Sequence, residues 1–134
     1  MHYLSFSQKH VYTADDSGIG LPVVLSCGGS QVELLAKVDT GAAFCIFQRD
    51  YGEALNLDVE GGTQQSVRTA IGPFVTFGHS VSLEVLGSQF DVIVYFAQDR
   101  EIKRNVLGRR GWIRSVRLGV IDYDSEIYVS DYNG

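Results

Sequence analysis

From Val75 to Val85 the chain alternates without a break. Val75, Phe77, His79, Val81, Leu83 and Val85 fall on one side, and Thr76, Gly78, Ser80, Ser82 and Glu84 on the other. A period of two sustained over that span fits a long half-buried strand and excludes an amphipathic helix. A turn at Leu86-Gly87-Ser88 leads into "FDVIVYFA", whose nearly continuous apolar character predicts a strand buried on both sides. His79 lies on the apolar side and reads as a satisfied core or edge histidine.

The rest of the chain agrees with a β protein. "GLPVVLSCGGSQVELLAKVDTG" reads as a hairpin: a strand from Leu21, a turn at Gly28-Gly29-Ser30 and a return strand ending at Asp39. "QRDYGEALNL" is compatible with a short helix, although Gly52 weakens it. "GWIRSVR" places Trp112, Ile113 and Val116 on one helical face, and "RLGVIDYDSEIYVSDY" predicts a last hairpin turning at Asp124-Ser125. Fifteen glycines stand against two prolines, in keeping with many turns. The expected fold is mainly β: a small closed, barrel-like sheet with one or two short helices. At 134 residues this is one domain, 1–134, with residues 1–20 as a candidate N-terminal extension.

Charge and targeting signals narrow the function. The net charge of −5 argues against a nucleic-acid partner. Seven of the eleven basic residues, Arg100, Lys103, Arg104, Arg109, Arg110, Arg114 and Arg117, share one segment, which reads as a solvated face. The N-terminus has no signal-peptide pattern and no stretch is apolar enough to span a membrane, so a cytoplasmic location is expected. Cys27 and Cys45 read as reduced thiols, and the scattered histidines make no metal site. No metal and no cofactor are expected.

Two motifs carry chemistry. In "KVDTGAAF" an apolar strand delivers Asp39 into a turn of small residues. Thr40 offers a hydroxyl, and Gly41, Ala42 and Ala43 allow close backbone approach. Such a carboxylate suits a crowded catalytic junction; it also suits a plain turn in which Asp39 caps its own loop. A D-T-G triplet alone arises by chance on the order of a few per cent of the time in such a chain. Downstream, "NVLGRRGW" sets Val106, Leu107, Gly108 and Arg109 as two apolar residues, a glycine and an arginine.

With these two motifs the sequence resembles the retropepsin-like aspartic proteases, the retroviral proteases and their small single-domain bacterial relatives. The resemblance covers roughly Leu21 to Tyr132. It implies that the second motif packs against the D-T-G loop and leads into the only substantial helix. It implies a flap, matched here by "QQSVRTAIGPFVTFGHSV" with its tip at Thr69-Ala70-Ile71-Gly72-Pro73. Ala43 stands where retroviral members carry an acidic residue that pairs with the motif's arginine, which leaves the partner of Arg109 open.

Aspartic protease chemistry takes two carboxyl groups around one water, sharing a proton. D-T-G occurs once, and no other acidic residue has a similar setting, so a homodimer with one Asp39 per subunit is expected. The resemblance implies that Thr40 bonds across the axis and that the Gly41 carbonyl meets the substrate. The expected activity is endopeptidase cleavage of extended protein or peptide segments. Ala42, Ala43, Ala70, Ile71, Gly72, Pro73, Phe74 and Leu107 are the expected substrate-binding residues. The alternatives are a catalytically inactive dimer of this fold that binds peptides or partner proteins, and a nucleic-acid site on the basic segment, which lacks interleaved aromatics.

Overall fold

The computed structural model describes residues 1–70 and 72–132. In chain order its strands and helix are β1 (Gln8–Val11), β2 (Gly20–Cys27), β3 (Ser30–Val38), β4 (Ile46–Phe47), α1 (Arg49–Ala54), β5 (Thr63–Thr69), β6 (Gly72–Val85), β7 (Ser88–Ala97), β8 (Val106–Leu107), β9 (Val116–Ile121) and β10 (Glu126–Asp131).

Seven strands lie in the order β2-β3-β8-β4-β7-β6-β5, and β2 also pairs with β6. That last pairing, Val23↔Val85 to Ser26↔Ser82, closes the sheet into a barrel. Closure satisfies strand edges that would otherwise stay open. Only β5 hangs outside the ring, joined to β6 from Thr63↔Gly78 to Thr69↔Gly72. The two expected hairpins on either side of the closure are both present. Each turns through two residues with positive φ, Gly28 and Gly29 at 56° and 85°, Leu86 and Gly87 at 50° and 83°. This mirror-image turn matches the twist of the strands it joins.

The interior is filled from β2, β3, β6 and β7, with Leu21, Leu25, Leu83, Val85 and Phe96 wholly buried, and Trp112 beside them. Each such side chain contributes roughly 2 kcal/mol by leaving water. In β6 the alternation holds from Ser80 to Val85, but Thr76 and Gly78 on the polar side are buried too. Thr76 Oγ1 donates to Gln65 O at 2.7 Å, which satisfies the hydroxyl. A side chain at Gly78 would meet Tyr95 at 2.8 Å. His79 Nε2 donates to Val59 O at 2.8 Å, so it is a satisfied edge histidine as expected.

Two expectations need correction. β7 is not buried on both sides along its length: Gln89, Asp91 and Ile93 are exposed, and only its end, Val94, Phe96 and Ala97, is wholly covered. Cover arrives there because β4 pairs alongside, Phe47↔Phe96, and α1 packs on top. Second, no α-helix follows "NVLGRRGW". The segment makes a single 3-10 turn at Ile113–Ser115 and enters β9. Trp112 and Val116 are buried as the helical face required, but β9 pairs with β10, and strand pairing suits its β-branched residues better. Residues 1–20 contain a paired strand: β1 joins β10 and β9 in a three-stranded sheet, Gln8↔Val129 to Val11↔Glu126. Ile127 and Val129 anchor that sheet in the main core.

No helix among the described residues is long and apolar enough to cross a membrane.

Candidate functional site

Asp39 stands where β3 ends, and its position is fixed by the second motif. β3 and β8 run parallel, Lys37↔Val106 and Val38↔Leu107. Asp39 N–H donates to Leu107 O at 3.0 Å, Arg109 N–H to Ala42 O at 2.9 Å and Arg110 N–H to Ala43 O at 2.9 Å. The loop after the aspartate is thus laced to the second motif through backbone alone. Gly108 makes this approach possible, since a Cβ there would lie 2.1 Å from Phe44 O. Its N–H points to Cys45 Sγ at 3.4 Å. Burial pushes that thiol up to about 11, the Gly108 N–H opposing, so Cys45 is an inert filler under the loop.

The carboxylate itself is half-buried. Its Oδ1 accepts from Gly41 N–H at 2.9 Å, the self-capping bond of an aspartate turn. Its Oδ2 accepts from Arg104 Nη2 at 3.4 Å, and the two side chains are 36% and 35% exposed. Thr40 is exposed and makes no side-chain hydrogen bond among the described residues.

Two hollows border this group, and a third adjoins them at Arg104. One of 280 Å³ runs between the Asp39 loop and β5, lined by Asp39, Gly41, Ala42, Ala43, Arg68 and Arg104 among others. Beneath it Ala42, Ile46 and Val106 form a second apolar cluster with Phe44, Val67 and Phe74. Another of 540 Å³ lies on the opposite side, between Asp15–Gly18, Lys37–Asp39 and Lys103–Val106. The third, of 400 Å³, joins the β5–β6 tip to Glu101–Arg104 and includes Ala70, Gly72, Pro73 and Phe74. A fourth hollow, of 460 Å³, opens between Cys27–Ser30 and Ser80–Ser82 and does not include Asp39.

The expected site residues therefore divide. Asp39, Gly41, Ala42 and Ala43 share one hollow, and the hairpin residues Ala70, Gly72, Pro73 and Phe74 line the next. Ile71 lies outside the described residues. Leu107, expected also as a wall, is wholly buried; in the two-residue β8 it points into the core, and Val106 reaches the hollow instead. Arg109 makes no ion pair among the described residues.

Sequence reasoning missed Arg104, the one side chain that borders all three hollows. It sits in "EIKRN", with no periodicity to set it apart from a solvated run. In fact the run scatters: Arg100 pairs with Asp50 and Glu53, Arg110 lies over the Phe44 ring and Arg117 over Phe6. Two other acids line these hollows, Glu101 at the hairpin tip and Asp15 on the far side. The Asp15 carboxyl is held below the usual range by the Ser17 hydroxyl and N–H, the latter at 2.7 Å, which ties it to its own turn. Among the described residues no cluster of three or more His, Cys, Asp or Glu could hold a metal.

A closed barrel with an outlying hairpin and a D-T-G loop bonded to a V-L-G-R segment defines an aspartic-protease architecture. The chain belongs to the aspartyl protease family, whose profile matches residues 23–111. Its fold is retropepsin-like. A retropepsin-like aspartic protease from Rickettsia conorii superposes with a TM-score of 0.63 at 14% identity, covering 91% of this chain and 98% of that one. The EIAV protease, solved with the inhibitor HBY-793, superposes with a TM-score of 0.56 at 19% identity, covering 74% and 88%. Among curated proteins none is significantly similar.

Proposed function

We propose that the protein is an aspartic endopeptidase whose working form is a homodimer, each copy contributing Asp39. The observation that carries this reading is the half-exposed Asp39 carboxylate, held at a strand end by backbone bonds to the second motif and opening onto a hollow beside the β5–β6 hairpin. A rigid carboxylate facing a cleft is half of the required machinery. A twofold axis beside the Asp39 loop supplies the other half.

Two apposed carboxyl groups cannot both ionise readily, so they hold one proton between them. The ionised group takes a proton from water as it attacks the peptide carbonyl, and the protonated group stabilises the oxyanion. In that dimer Thr40, exposed in the single chain, bonds across the axis through its hydroxyl. The β5–β6 hairpin acts as the flap, closing over an extended substrate that adds as a strand, with Ala70, Gly72, Pro73 and Phe74 at its edge.

Digestion of a denatured protein by wild type and by Asp39→Asn tests the reading. Cleavage should fall by at least about a thousandfold in the variant. Equal cleavage by both removes Asp39 from the mechanism. One observation favours a second reading, a peptide-binding dimer without catalysis: Arg104 occupies Asp39 Oδ2, the oxygen that catalysis needs. Tight peptide binding with no cleavage by either protein would select that reading.

A further inference from the structure

Arg104 stands against the chemistry proposed for Asp39 and yet is built into the same place. Of the two carboxylate oxygens, Oδ1 is committed to Gly41 N–H and Oδ2 to Arg104 Nη2. A catalytic water needs Oδ2, so Arg104 must move away before the reaction. The contact is poised for that. At 3.4 Å it is a single long bond between two side chains each about a third exposed, whereas a guanidinium binds a free carboxylate through two parallel bonds at about 2.8 Å. Any carboxylate entering the hollow offers Arg104 a better partner than the one it has.

The surroundings favour such a guest. Charged groups bordering the Asp39–hairpin hollow are Arg68 and Arg104 against Asp39. At the hairpin tip they are Lys103 and Arg104 against Glu101. On the far side Lys37, Lys103 and Arg104 face Asp39 and Asp15, the latter tied to Ser17. Neither Arg68 nor Lys103 makes an ion pair among the described residues. A protein of net charge −5 thus gathers cations at the cleft where a peptide would lie, a local field that concentrates anionic segments.

We infer that Arg104 is a specificity-determining residue that selects peptides with an acidic side chain next to the scissile bond. The incoming Glu or Asp draws the guanidinium off Asp39, so the same exchange recognises the substrate and uncovers the catalytic oxygen. Because Arg104 lies within one contact of Asp39, its reach covers the residues flanking the cleaved bond. In a twofold dimer each copy's Arg104 serves one side.

This inference rests on the endopeptidase reading. Its test begins with a peptide library made from a denatured proteome, digested by the full chain and read by mass spectrometry for the residues beside each cleaved bond. A cleaved sequence is then synthesised with blocked termini in Glu, Gln and Lys versions, so that the side chain carries the only variable charge. Wild type should favour Glu over Gln by at least about tenfold in kcat/KM. Arg104→Leu should bring that ratio near one, and Arg104→Glu should turn the preference toward Lys. A Glu/Gln ratio near one in wild type, or one that survives Arg104→Leu, overturns the inference while Asp39-dependent cleavage leaves the endopeptidase reading standing. Absence of any Asp39-dependent cleavage overturns both.

Discussion

Gly108 does more for the site than any residue except Asp39, although it has no side chain. It lets the second motif lie against the Asp39 loop closely enough for Arg109 and Arg110 to reach Ala42 and Ala43. An added methyl would fall 2.1 Å from Phe44 O and 2.9 Å from Ala42 O, both backbone atoms that cannot swing aside. Gly108→Ala is therefore expected to cost on the order of 3 kcal/mol, seen as a lower urea midpoint with an unchanged slope. Gly28→Ala is the comparison. Nothing lies within 4 Å of that position, and only its φ of 56° resists a side chain, at about 1 kcal/mol. A larger loss at Gly28 would mean that turn strain outweighs the close approach. At this scale the sequence was informative wherever chemistry or sterics demand one residue type, as at Asp39, Gly41 and Gly108. Arg104 was hidden because an arginine suits a solvated run as well as a cleft.

The helix α1 shows how an element survives with little helical propensity of its own. Six residues are too few to hold a helix in water. Gly52, which looked like a flaw in the pattern, is where the helix meets the barrel; a Cβ there would touch Phe96 at 3.0 Å. The outer face is held by charge: Arg49 with Glu53 at 3.2 Å and with Glu60, and Arg100 with Asp50 at 2.8 Å and with Glu53. The Arg100 hydrogen bonds hold the Glu53 carboxyl below its ordinary 4.5, and those of Arg49 do the same for Glu60. Carboxyls lowered on folding stabilise above 4.5 and lose that contribution as pH falls through their folded values. The thermal midpoint should drop on that acid limb, and Arg100→Met should flatten the drop. An unchanged slope in the variant would show that other carboxylates govern the acid limb.

Elements with a strong local signal were legible, and those made by distant partners were not. The Gly28-Gly29 and Leu86-Gly87 turns announce their hairpins. β4 and β8 have two residues each, too short for any period, and exist because β3 and β7 flank them. β1 reads "QKHV", with no alternation to predict a strand, and is held by β10. The helical spacing of Trp112, Ile113 and Val116 misled for the opposite reason. Three apolar residues fit one helical face, but pairing with β10 decides the backbone.

Taken whole, one chain offers one Asp39, so the proposed activity belongs to a pair of chains. Specific activity should rise with protein concentration over the range where sedimentation shows monomer becoming dimer. Adding an excess of Asp39→Asn protein should lower wild-type activity, because mixed dimers hold a single ionisable carboxylate on the axis. Full activity in a dilute, sedimenting monomer would end the shared-site proposal.

The three-stranded sheet of β1, β10 and β9 carries a consequence for biosynthesis. Among the described residues the first strand to leave the ribosome pairs only with the last one made. More than a hundred residues separate them, a wait on the order of ten seconds at ordinary rates of translation. During that interval the barrel strands emerge one after another, and the last of them, β8, appears fewer than twenty residues before β10 begins. Once β8 has emerged, a nascent chain can assemble its Asp39 loop while the terminal sheet is still missing, which separates the making of the proposed catalytic centre from its completion in time.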